Sequence, residues 1–92
     1  MLFRSNTVLS TSQALTPVSV ATITAAEQTF TVTGLLTTMS VLSVRSAVAQ
    51  TAGLGLSGAR VSAQDTLALT FTNPTAGSLT PVASTYTIIV QA

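Results

Sequence analysis

Between Thr66 and Thr72, threonine and alanine alternate with Leu67, Leu69 and Phe71. This period of two gives a strand with one face in a core and the other in water. A shorter run over 57–62 precedes it, anchored by Val61, and Ala63-Gln64-Asp65 is short enough to join the two as a hairpin. Asp65 suits the turn because its carboxylate accepts backbone N–H bonds. Asn73-Pro74-Thr75-Ala76-Gly77 then stops the strand: proline offers no donor to a ladder, and Gly77 is free to take positive φ.

The same alternation predicts further strands. Over 28–34, Phe30 and Val32 face one way and Thr29, Thr31 and Thr33 the other, with Gly34 as the stop. Over 39–45, Leu42 and Val44 share a face opposite Met39, Val41, Ser43 and Arg45. Over 85–91, Tyr86, Ile88 and Val90 oppose Thr85, Thr87 and Ile89. Thr16-Pro17 opens a run in which Val18 and Val20 share a face, and Ile23 breaks the alternation, implying a bulge near Ala21-Thr22. Thr24-Ala25-Ala26-Glu27 reads as a connection too short for a helix. Residues 46–55 contain Gly53 and Gly55 and have no sustained period, as expected of a crossover between sheets.

These segments predict an all-β fold: a small antiparallel β-sandwich, or a barrel, of six to seven strands. The expected organisation is an N-terminal arm or flexible segment over 1–15 and a single β-domain over 16–92. The expected core is Phe30, Val32, Leu42, Val44, Val61, Leu67, Leu69, Phe71, Ile88 and Val90. No internal repeat has a consistent period.

Composition changes this picture in one respect. The chain has 92 residues, 47% of them hydrophobic, enough for one core. Only 5% are charged, against roughly 25% in an average soluble domain. The whole set is Arg4, Glu27, Arg45, Arg60 and Asp65, for a net charge of +1. Serine and threonine hydroxyls must carry solubility, and little self-repulsion opposes association. This favours a subunit of an assembly over a solitary secreted domain.

The same scarcity narrows the chemistry. Nucleic-acid binding needs several phosphate-neutralising side chains, which the chain lacks. There is no histidine and no cysteine, hence no disulfide framework and no imidazole or thiolate to serve as base or metal ligand. Abundant hydroxyls have no histidine or lysine to activate them. Paired-carboxylate chemistry would require Glu27 to meet Asp65. The reading is therefore no enzyme, no cofactor and no metal. No apolar run approaches the roughly 18 residues of a membrane span. The N-terminus lacks an uninterrupted apolar stretch after its single basic residue, which argues for synthesis in a cytoplasm. Gly53-Leu54-Gly55-Leu56-Ser57-Gly58 does not match a dinucleotide-binding loop.

The segments Thr31-Val32-Thr33-Gly34-Leu35, 53–63 and 66–77, together with Thr80-Pro81 and the Tyr86-Thr87 strand, resemble a group of small tailed-bacteriophage virion proteins. These are head decoration (cement) or head-fibre subunits, and the similarity spans about residues 28–90. It carries over no catalytic residue. It implies an architectural role on the capsid surface of a virion, with the major capsid protein as partner and self-association as a homotrimer. Candidate assembly contacts are Leu2, Phe3, Val8 and Leu9, which have no obvious place in the core, together with Arg45, Arg60 and the 46–54 loop. Asp65 is expected at most to make a solvated surface pair with Arg60. Two other readings stay open: a tail-fibre or adhesin-like module binding host glycan, and a tail or neck structural subunit.

Overall fold

The computed structural model describes residues 8–91. Six strands make up its regular structure: β1 (Val8–Leu15), β2 (Thr24–Thr31), β3 (Ser40–Ser46), β4 (Gly55–Ala63), β5 (Thr66–Asn73) and β6 (Ser84–Gln91). They form two three-stranded antiparallel sheets, ordered β1-β6-β3 and β2-β5-β4. No helix occurs among the described residues, and the sheets remain separate, with no closed barrel.

The central strands supply most of the core. Leu67, Leu69 and Phe71 of β5 meet Tyr86, Ile88 and Val90 of β6, all buried, in one cluster joined by Leu15, Val20, Val32 and Leu35. The alternation read from the sequence thus holds for both central strands, because each is flanked on both edges and one of its faces is fully covered. Phe30, Val44 and Val61 are half-buried against this cluster, as edge-strand positions are.

Several expectations differ from the structure. Leu42 is 53% exposed instead of buried. The register of β3 against β6 slips between Val41 and Ser43, so Leu42 is the extra residue of a bulge and Val41 and Val44 take the inward positions. Residues 16–23 form a loop rather than a strand, contributing only an isolated bridge from Val20 to Leu79. Residues 24–27, read as a connection, begin β2. The left-handed glycines are Gly34 (φ 99) and Gly53 (φ 89), and Gly77 is not among them.

Residues 8–15, assigned from the sequence to an arm, form β1 and pair with β6 from Val8↔Gln91 to Leu15↔Ser84. The inward positions Leu9, Thr11, Gln13 and Leu15 include a hydroxyl and an amide, so the strand reads as polar linker. The hairpin β4–β5 is present, with its loop at Gln64-Asp65. The 46–55 connection does cross from one sheet to the other.

This topology gives the molecule two distinct ends. At the hairpin end lie the Gln64-Asp65 turn, residues 32–39 and the outer ends of β1 and β6. At the loop end lie the connections 16–23, 47–54 and 74–83.

Candidate functional site

The charged side chains do not converge. Glu27 on β2 and Arg60 on β4 lie on the outer face of their sheet and meet across β5. Arg60 donates from Nε to Glu27 Oε2 and from a terminal nitrogen to Oε1, both at 2.9 Å. This fork-to-carboxylate geometry is the favoured one for arginine. The hydrogen bond from Arg60 holds the Glu27 carboxyl below its ordinary value, and Arg60 is raised in return. Arg60 thus pairs with Glu27 and not with Asp65. Both partners face solvent, so the bridge orders a surface without anchoring the fold.

Asp65 does a different job at the hairpin end. Its φ of 59° is a left-handed conformation that aspartate tolerates better than most residues. Its carboxylate accepts the Gly34 N–H at 2.8 Å, its carbonyl accepts the Val32 N–H at 2.9 Å, and its own N–H donates to the Leu35 carbonyl at 2.8 Å. The hairpin is thereby tied to the segment that carries buried Val32 and Leu35. Glu27 sits mid-strand on an outer face and Asp65 in an end turn, so the two carboxylates form no catalytic pair.

Of the candidate assembly contacts, Leu2 and Phe3 lie outside the described residues. Val8 and Leu9 are exposed at 58% and 43%, at the hairpin end. Arg45 is exposed on the outer face of the other sheet, opposite Thr87, and makes no ion pair among the described residues. Val8 and Leu9 are neighbours on β1 that point to opposite faces of the sheet, and Arg45 and Arg60 lie on the outer faces of different sheets.

Three amide side chains, not singled out in the sequence, organise the loop end. Asn73 is fully buried. Its Nδ2 donates to the carbonyls of Gly77 (2.9 Å), Val20 (3.1 Å) and Ala21 (3.2 Å), and its Oδ1 accepts from the backbone and hydroxyl of Thr75. Gln28 clamps Val18 as a neighbouring strand would, accepting its N–H at 2.9 Å and donating to its carbonyl at 2.7 Å. Gln50 donates to Tyr86 Oη at 3.0 Å and accepts the Val82 N–H, while Tyr86 donates to the Val82 carbonyl at 2.7 Å. Asn73-Pro74 was legible as a turn, but nothing in the pattern around Gln28 or Gln50 marks them as ties between distant loops.

Around this scaffold, apolar side chains are left in solvent. Val18 and Ile23 are 66% and 78% exposed. Ile23 also has φ 48°, a conformation that crowds a β-branched side chain. The described residues contain no group of three or more carboxylate, imidazole or thiol side chains able to hold a metal ion. No helix of the structure is long and apolar enough to cross a membrane. The described outer faces are largely lined by hydroxyls, and the two ends are partly apolar, with Asp65 the charged side chain at the hairpin end. Comparison with models of known families, with characterised proteins and with solved structures finds no match.

Proposed function

We propose that this chain is a small β-sandwich subunit of a tailed-phage virion: a head decoration, or cement, protein that binds the assembled shell through the major capsid protein and stabilises it. The observation that carries the reading is the surface. Among the described residues, two hydroxyl-lined outer faces hold one ion pair and one arginine, Arg45, that makes none, and most large exposed apolar side chains sit towards the two ends. Such a unit is suited to lasting contact with other protein, and its groups offer no evident catalysis. Self-association as a trimer and residence on the capsid surface belong to the same reading.

A glycan-binding module is less favoured, since stacking on sugars needs exposed aromatic rings. Among the described residues, Phe71 and Tyr86 are buried in the core and Phe30 is half-buried, while Phe3 lies outside them.

The test uses expanded capsids stripped of, or made without, their decoration protein. Added protein should co-sediment with them and raise the temperature at which packaged DNA escapes, by the mass-action term RT ln(1 + [L]/Kd) per site. With so few charges, binding should change little between low and high salt. A chain lacking residues 2–7, which leaves β1 intact, tests whether Leu2 and Phe3 dock on the shell: an arm contact predicts loss of binding without loss of fold. No binding by the full-length chain to any such shell sinks the reading.

A further inference from the structure

Each sheet has two edge strands, and three of the four are guarded. β3 carries the Leu42 bulge and Arg45. β4 has register shifts after Leu56 and Val61 and carries Arg60, while β2 carries Glu27 and holds the 16–23 loop through Gln28. Charges, bulges and covering loops are the usual means of keeping a strand edge from pairing with other chains. β1 has none of them. It keeps an unbroken register against β6 over its 8 residues, without charge, glycine or proline, and its other edge is free among the described residues. Its first two residues, Val8 and Leu9, are large, apolar and exposed, one on each face. On the inner side Leu9, Leu35, Met39 and Val90, with Gly34, line a depression of ≈ 270 Å³. Asp65 stands at its rim, through the carboxylate oxygen that accepts the Gly34 N–H at 2.8 Å.

We infer that residues 2–7 of this same chain turn back at Ser5-Asn6 and pair with the free edge of β1, seating Leu2 in the depression and Arg4 toward Asp65. Position, pattern and charge select this occupant. The segment joins β1 at Val8, beside the depression, and two turn residues with three of strand are enough to reach it. Serine and asparagine are turn formers. A reversal there sets Phe3 opposite Val8 and Leu2 opposite Leu9, and opposed residues of antiparallel strands share a face. Leu2 then lies inward with Leu9 and Phe3 outward with Val8, so each exposed apolar residue at the start of β1 gains an apolar neighbour. Arg4, the segment's single charged residue, falls on the inward face, the side of Asp65. The other carboxylate, Glu27, is already engaged by Arg60.

Tethering favours the chain's own segment over that of another copy. A segment joined directly to its site has an effective concentration that is roughly millimolar, far above micromolar protein in solution. The inference concerns the free chain and stands apart from the shell reading.

Hydrogen peroxide footprinting of Met39 tests it without capsids. Met39 lines the depression, and its conversion to the sulfoxide is read by mass spectrometry on the fragment that carries it. Deleting residues 2–7, or Leu2→Ser, should speed the reaction roughly three- to tenfold, the factor for a segment held by a few side-chain contacts net of its ordering cost. Arg4→Gln and Asp65→Asn should each speed it about two- to threefold, the scale of an exposed ion pair. The double variant should go no further than either single one. Asparagine tolerates φ 59° and its carbonyl oxygen accepts the Gly34 N–H, so the turn survives the change. Circular dichroism should show every variant folded, and protection should not vary with protein concentration in the micromolar range. A Met39 that reacts equally with and without residues 2–7 overturns the inference. Protection that rises with concentration overturns it in favour of a neighbouring copy's segment, and additive effects of Arg4→Gln and Asp65→Asn overturn the placement of Arg4.

Discussion

Ile23 is where local conformation and solvent exposure both run against expectation. A β-branched residue at φ 48° stores on the order of 1–2 kcal/mol, and the contacts of Asn73 and Thr75 with this loop hold it there. Replacement by asparagine or glycine, which tolerate this region, should raise thermal stability by a few degrees while removing an exposed apolar side chain. A drop in melting temperature would mean the Ile23 side chain supports the fold after all. Asn73 presents the converse case. It is buried with its amide fully engaged, and Asn73→Leu leaves the Val20, Ala21 and Gly77 carbonyls without that donor. Denaturant titration should show a loss of roughly 2–4 kcal/mol. Phe71→Ala, which opens a cavity between the sheets, should cost about 3–5 kcal/mol and leave little folded protein in a domain this small.

At the scale of elements, legibility follows coverage. β5 and β6 are central strands whose apolar face is sealed by the opposite sheet, and Leu67, Leu69, Phe71, Tyr86, Ile88 and Val90 display their period without interruption. β1 is an edge strand; Thr11 and Gln13 occupy inward positions because an edge tolerates partial wetting, and the period is masked. The bulge at Leu42 inverts the side-chain parity of β3 without a glycine or proline to announce it. Residues 16–23 show the opposite failure: Val18 and Val20 alternate like a strand, yet side-chain amides replace the missing ladder. The scarcity of charge was legible in the sequence, but where the exposed apolar residues lie depends on topology. Truncation tests the role of β1. Removing residues 2–7 should lower the melting temperature by only a few degrees. Removing 2–12 strips the edge from β6 over most of its length and should destabilise the domain or drive aggregation through the bared strand.

For the whole molecule, the charge inventory predicts an unusual indifference to pH. With no histidine or cysteine and only two side-chain carboxylates, few groups change protonation between about pH 5 and 9, so the melting temperature should be nearly flat there. Glu27 is the exception at the acid side. Its folded pKa is lowered by Arg60, so the pair's contribution is present above the ordinary carboxylate value of 4.5 and fades as pH falls through the depressed one. Its exposure keeps the effect small, and Glu27→Gln should abolish it; a melting curve of that variant with an unchanged acid slope would place the dependence elsewhere. The strand order also bears on synthesis. β6 is the central strand of its sheet and the last of the six to be made, and β1 and β3 have no ladder to each other without it. Once β5 has emerged from the ribosome, the β2-β5-β4 sheet has all its strands, but its apolar face has no partner. Until β6 follows, the nascent chain holds β1 and β3 as unpaired edges, an invitation to neighbouring chains on the same message. Assembly and misassembly thus compete in the interval before the final strand closes the sheet.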